Sequence, residues 1–329
     1  MAPGAPALRG FAAHNKLALA ALAVLFLVSC KEQVAIEPPG DAPVFTVRFD
    51  KSLSEQAQDG RLLLMLSSHD EKEPRFLVGV SADSQLIFGR NVEGWKPGEA
   101  VAVDQSAIGF PLADLSQLPA GDYYAQALLN RYKDFHLANG KVVSLPPDRG
   151  EGQQWNRKPG NFYSKPVKLS ISGEGPQSFS LLLDQLIPEI EPPADTEFVK
   201  HVRMRSEMLS EFWGEDVYLG AHVLRPKGFD EHPEARYPLM IFHGHFPDDF
   251  GGFRTEPPDP GLEPDFSARF GVHGYNIIQQ QEAYDFYQKW ISDDFPRFIV
   301  IEIQHPTPYY DDSYAVNSAS QGPYGDALT

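Results

Sequence analysis

Residues 239–247 read Leu-Met-Ile-Phe-His-Gly-His-Phe-Pro, four apolar residues running straight into a His-Gly-His turn. An uninterrupted apolar run suits a strand buried on both faces, and in an open α/β sheet ligands bind beyond the carboxyl ends of such strands. His243, Gly244 and His245 therefore stand where a site belongs, and Gly251-Gly252 adds freedom to the loop that follows. His243 and His245, with Asp248 and Asp249, also make a His-x-His and carboxylate set of the kind metallohydrolases use. The full spacing of a two-zinc motif is missing, so polar loop lining is the better reading, and neither a metal nor a cofactor is expected.

The other polar candidates have plainer readings. His273 and His305 stand alone in the sequence and read as structural. Tyr309-Tyr310-Asp311-Asp312 has the groups to hold a sugar or a cation, although an acidic aromatic loop on an α/β domain is usually a solvated rim. Glu302 interrupts the apolar run 298–303 and is either paired or beside the cleft. A serine nucleophile on a G-x-S-x-G turn is missing: Ser318-Ala319-Ser320-Gln321-Gly322 and Ser170-Ile171-Ser172-Gly173 lack the first glycine, and neither closely follows a strand.

The sole cysteine, Cys30, has a different chemistry. Arg9 and Lys16 precede a 12-residue apolar run, Leu17 to Val28, and small Ser29 sits directly before Cys30. That run is too short to span a bilayer, which takes about 20 apolar residues. The pattern Leu27-Val28-Ser29-Cys30 resembles the bacterial lipobox. The resemblance implies that residues 1–29 are a signal peptide, that Cys30 becomes the lipidated N-terminus, and that the protein is anchored in the cell envelope facing the periplasm or exterior. One acyl chain gives only marginal membrane binding, so the two or three chains of a lipoprotein are what make such an anchor hold.

Charge excludes one partner class. Removing Arg9 and Lys16 takes the formal net charge from −17 to −19, no basic run exceeds two residues, and acidic pairs recur at Asp248-Asp249, Asp293-Asp294 and Asp311-Asp312. A phosphate backbone needs clustered Lys and Arg, so nucleic acid is not a partner. With Cys30 taken by lipid no disulfide can form within the chain, and stability must come from ordinary cores.

The elements that must position these residues fall into two grammars. Lys31 to Ala42, with Pro38-Pro39-Gly40, reads as a tether. From Val44 the chain alternates in β-formers, and Leu62–Leu66, Phe76–Val80, Leu86–Phe88, Tyr123–Leu129 and Val167–Ile171 read as strands of a sandwich. Leu118-Pro119-Ala120-Gly121-Asp122-Tyr123-Tyr124 resembles the turn entering the penultimate strand of immunoglobulin-like domains, where a tyrosine hydroxyl ties back to an upstream backbone group; a plain turn before a strand fits equally well. Residues 131–165 read as a long aromatic loop packed against the next domain. The boundary falls near Ile187 to Asp195, where Pro188, Pro192 and Pro193 interrupt any element. Beyond it, Glu197–Phe212 reads as an amphipathic helix, Val217–Leu224 and Phe298–Ile303 as strands, Tyr284–Trp290 as a helix, and Gly322–Thr329 as the start of another.

Three stretches carry a family resemblance: Tyr237 to Gly244, the Phe298–Ile303 strand, and Asp311 to Ser318 with Gly322-Pro323-Tyr324-Gly325-Asp326. Together they resemble bacterial esterases of the esterase D and enterochelin-esterase type, α/β-hydrolases with a β-domain in front. The resemblance covers about residues 197–329 well, and residues 43–190 through architecture alone. It implies that the backbone N–H of His245, held by the turn at Gly244, is an oxyanion-hole donor aimed at the oxygen that becomes negative as an ester carbonyl turns tetrahedral. It also implies that Gln304 to Ala319 lies along the substrate cleft. Triad order in such enzymes is Ser, then Asp or Glu, then His, which would put all three beyond Thr329.

The expected architecture is multidomain: signal peptide 1–29, tether 30–42, an all-β immunoglobulin-like sandwich over 43–190, and the incomplete first part of an α/β-hydrolase fold over 191–329. The expected function is the N-terminal part of a lipid-anchored serine esterase-like hydrolase, inactive as given, whose partners are the membrane through Cys30 and, in the full-length protein, a small-molecule ester. The competing expectation is a membrane-tethered, non-catalytic binding or scaffold lipoprotein that uses its β-domain for recognition. Bacteria expressing the chain in the presence of a clickable palmitate analogue should yield labelled, membrane-bound protein, and Cys30→Ser should abolish the label and release the protein. An unlabelled wild type would refute the anchor.

Overall fold

The computed structural model describes residues 42–80, 84–137, 139–148, 154–243, 250–267, 270–309 and 312–329. Cys30 and the preceding segment lie outside them. The described residues group into one compact unit. It is mostly β-sheet, in several sheets.

The first strand, β1 (Val44–Phe49), shows why alternation matters: Phe45, Val47 and Phe49 are fully buried while Arg48 is exposed. Then follow β2 (Gln58–Ser67), β3 (Leu86–Trp95), β4 (Val101–Val103), β5 (Ile108–Phe110) and β6 (Gly121–Arg131). The rest of this half comprises β7 (Lys133–His136), β8 (Val142–Leu145), β9 (Phe162–Tyr163), β10 (Val167–Ile171), β11 (Ser178–Leu183) and β12 (Gln185–Leu186). One sheet has the order β11-β1-β4, the other β12-β9-β6-β2-β3-β5 with β10 also on β6. Their inner faces share one core, in which Phe45, Val47, Phe49, Leu181 and Leu183 meet Leu62, Leu64, Leu66, Phe88, Leu129 and Phe162. The opposite face of β2 is also covered, because Leu63 and Met65 pack with Leu128, Ile187 and Trp155. At the start of β6 the Tyr123 hydroxyl donates to the Pro119 carbonyl at 3.0 Å, so the turn is tied to its strand four residues on. Burial pushes that phenol's pKa up.

Two expectations for this half are corrected. Phe76–Val80 is not a strand: Pro74, with its fixed φ, opens a 3-10 turn over Pro74–Phe76, and Val80 is fully exposed. Residues 131–165 are not one loop, since β7 and β8 pair antiparallel from Lys133–Leu145 to His136–Val142 and β9 joins the large sheet. The β7–β8 hairpin lies against the second half of the chain. Phe135 packs on Trp213 and Tyr309, Lys133 Nζ meets Glu215 at 2.6 Å, and the Asp148 N–H donates to the Pro308 carbonyl.

After an exposed stretch around Pro192-Pro193, the chain builds a second sheet from β13 (Val199–Arg205), β14 (Tyr218–Leu224), β15 (Leu239–His243) and β18 (Ile299–Gln304). Helix α1 (Glu207–Trp213) follows β13, a small hairpin β16 (Phe266–Ser267) and β17 (Val272–His273) follows β15, and α2 (Tyr275–Trp290) leads into β18. Last come the two-residue strands β19 (Asn317–Ser318) and β20 (Gly322–Pro323) and the short α3 (Tyr324–Ala327). The order is β13-β14-β18-β15, with β14 antiparallel to both neighbours and β15 parallel to β18. A parallel pair needs a crossover, and α2 lies within it, its Trp290 buried against Phe198, Leu224 and Val300 and hydrogen-bonded to the Arg225 carbonyl at 2.9 Å.

Here too the sequence reading needs correction. Only the second part of Glu197–Phe212 is helical: Val199–Arg205 pairs residue for residue with β14, and Ser206 then caps α1 by accepting from the Leu209 N–H. Gly214, at φ 68°, ends the helix in the left-handed conformation that glycine tolerates. The run Leu239–Phe242 is a strand but not a buried one, since its four side chains are 51–56% exposed and β15 ends the sheet. This predicts a contrast in denaturant melts. Leu64→Ala should cost about 2–5 kcal/mol, whereas Ile241→Ala should cost less than about 0.5 kcal/mol; equal losses would contradict the burial.

Candidate functional site

The parallel pairing of β15 with β18 brings two histidines to the same edge of the sheet. In register, His243 stands opposite Ile303, and His305 follows β18 directly; their ring centroids are 5.8 Å apart. His243 is exposed and His305 is buried. Gly244, His245, Asp248 and Asp249 lie outside the described residues, so the loop itself is not described. Among the described residues no group of three or more His, Cys, Asp or Glu is arranged to hold a metal, and no helix is long and apolar enough to cross a membrane.

Pro306 and Pro308 carry no N–H and end the strand. The chain swings out and returns to bridge Pro306 with Asp312. It is fastened to the strand end twice: the Ser313 N–H donates to the His305 carbonyl at 3.2 Å, and Ser313 Oγ lies 3.0 Å from His305 Nδ1. A serine hydroxyl on an imidazole has the form of a nucleophile and its base. Ser313, however, is 1% exposed and also accepts from the Ala315 N–H at 3.1 Å, so its role is to hold the loop.

The loop is held from below by two tyrosines. Tyr309 donates to the Ser320 carbonyl and Tyr324, fully buried, to the Pro306 carbonyl at 2.8 Å. Burial pushes the pKa of both phenols up, that of Tyr324 far more. Gly322, at φ 107°, lets β20 lie on α1, where a Cβ would come within 3.2 Å of the Phe212 ring. The solvated-rim reading is thus corrected for Tyr309 and Asp312, which are 7% and 4% exposed because the loop folds back over its own base. Tyr310 and Asp311 lie outside the described residues.

Glu302 stands opposite His222 in the β14–β18 register, its Oε2 3.8 Å from His222 Nδ1, an ion pair only when that imidazole is protonated, since His222 Nδ1 has no hydrogen-bond partner among the described residues. His222 in turn meets His201 edge to face, and the His201 ring and backbone N–H bond to Asp195, which lowers the pKa of that carboxyl. A polar row, His201–His222–Glu302, therefore crosses the middle of the sheet. His273, in β17, packs at a tilt against the Phe266 ring and takes no part. Neither His222 nor Ser313 stands out in the sequence, since a lone histidine in an alternating strand and a serine in a loop carry no motif. No family model matches the chain, and no curated protein matches it.

The tyrosines give a pH dependence. A raised folded-state pKa means that nothing changes below the ordinary tyrosine value of about 10, whereas above it the unfolded chain releases protons that the folded chain keeps. Stability should therefore fall as pH rises past about 10. Tyr324→Phe should lower stability at neutral pH by about 1 kcal/mol through the lost hydrogen bond and make the alkaline fall shallower in thermal melts; an unchanged slope would refute the assignment.

Proposed function

We propose that the chain is the front part of a lipid-anchored serine esterase-like hydrolase, an immunoglobulin-like β-sandwich followed by the first strands of an α/β-hydrolase sheet. The observation that carries this reading is the order β13-β14-β18-β15 with β14 alone reversed. An α/β-hydrolase sheet opens in that way, its third and fourth strands exchanged in space and joined by a crossover helix. Fold-level likeness is a warrant by analogy, and function must come from the site. Support also comes from His243, which stands at the carboxyl end of a strand in a parallel pair, where such a sheet holds its ligands. In front of it, two sheets around one core and the Tyr123 tie to Pro119 support the immunoglobulin-like reading.

In this reading the His245 N–H, presented by the turn at Gly244, receives the oxyanion of the tetrahedral intermediate, and the His305–Ser313 loop forms a wall of the cleft. The nucleophile belongs to a strand that would pair with the free edge of β15, whose exposed Leu239–Phe242 side chains need a cover. Lipid on Cys30 holds the assembly at the envelope membrane, and the substrate is a small-molecule ester. The test is to read the gene past the codon for Thr329: a strand, a Gly-x-Ser-x-Gly turn and a later histidine are expected, and a stop codon in place would favour a tethered binding protein. This chain should not react with a fluorophosphonate probe, because it has no elbow serine. Labelling of any serine in it would overturn the assignment of the nucleophile.

A further inference from the structure

The β7–β8 hairpin is a two-stranded sheet of its own and pairs with neither large sheet of the first half. On one side a groove of about 500 Å³ separates it from β2 and β3, with Asp59, Asn91 and Glu93 on the far bank and Tyr132, Asp134 and Ser144 on the near one. Carboxylates line both banks and, among the described residues, no cation lies between them, so charge does not draw the hairpin onto its own half. A two-stranded hairpin alone is marginal in water. What orders this one is the surface on its other side.

There Phe135, 3% exposed, closes a triangle of rings. Its centroid lies 4.8 Å from that of Tyr309 and 6.1 Å from that of Trp213, and those two rings meet edge to face at 5.8 Å. Each ring belongs to a different segment: the hairpin, the end of α1, and the chain returning after His305. Tyr309 and Trp213 then reach the carbonyls of Ser320 and Gln321 at 3.0 and 3.2 Å. Just beyond β8, Pro147 bridges Tyr309 and the Asp148 N–H donates to the Pro308 carbonyl at 2.9 Å. The Lys133–Glu215 pair adds little, because both side chains are close to half exposed and such pairs contribute little in water. The buried rings decide the contact.

We propose that the β7–β8 hairpin is a brace, contributed by the first half, that fixes the return loop of the second, with Phe135 a positioning residue acting through Tyr309. Tyr309 stands midway between His305 and Ser313, whose mutual hydrogen bond closes the loop, so a ring that holds Tyr309 holds both ends of that closure. The inference is independent of the hydrolase reading, since it concerns what supports the loop and not what the loop meets. It makes the β-domain part of the frame around the His243–His305 edge.

The test is hydrogen exchange of the full chain, followed residue by residue by NMR together with the histidine ring signals. Phe135→Ala should speed exchange of the Ser313 and Val316 N–H groups, both hydrogen-bonded within the loop, about 100-fold, the scale of one lost buried aromatic side chain. The ring C–H signals of His305 should shift with them, while the amides of β2, β6 and β18 and the ring signals of His222 keep their wild-type behaviour. Phe135→Tyr, which keeps the ring, should restore both readouts. Unchanged loop amides and His305 signals in Phe135→Ala would overturn the proposal, because the loop would then stand on its own hydrogen bonds. Equal acceleration in the strands of both halves would overturn it too, by making Phe135 general core packing. Where the alanine variant does not fold, Phe135→Leu, apolar but without a ring, is read by the same contrast.

Discussion

β18 has an antiparallel partner on one edge and a parallel partner on the other, and the candidate site follows from that mixed pairing. The antiparallel edge fixes β18 to β14, so that Glu302 faces His222 and the middle of the sheet becomes polar. The parallel edge points β15 and β18 the same way and sends both strand ends, at His243 and His305, to one side of the molecule. A one-residue slip would move every side chain to the opposite face. What resists a slip is Trp290, buried between Phe198, Leu224 and Val300 at the end of the crossover helix. Packing on one face of the sheet thus sets the geometry at its edge.

Much of this was legible in the residues because it rests on short-range rules. The alternation from Val44, the apolar run ending at Ile303 and the turn before Tyr123 each have a local cause, and each became the expected element. The helix expected over Glu197–Phe212 failed for an equally physical reason. Val199 and Val202 have helical spacing, but a strand is decided by its partner, and β14 comes only after the chain has turned back through α1. Residues 131–165 misled in the same way: glycines and prolines hid a hairpin whose pairing is closed by Phe135 docking on Trp213 and Tyr309.

The candidate site was legible in position more than in content. The apolar run before His243 announced a strand, and Leu239–His243 is one. The loop beside it was not visible, because Asp312 and Ser313 look like loop polars, and only the return of the chain to His305 buries them. Composition reports how often polar residues are exposed, and this loop is an exception made by its own hydrogen bonds.

β15 is where sequence and structure disagree most usefully. Leu239–Phe242 has the composition of a strand covered on both faces, yet its side chains lie half exposed at the sheet edge. Soluble proteins shield such edges with charge, proline or a covering element, and none of these four residues is charged. A sequence tuned for burial is thus found in the open, and the proposed hydrolase sheet is what would account for it. The same disagreement is absent from β2, whose two faces are both covered as its composition demands. Burial thus follows composition in β2 and departs from it in β15.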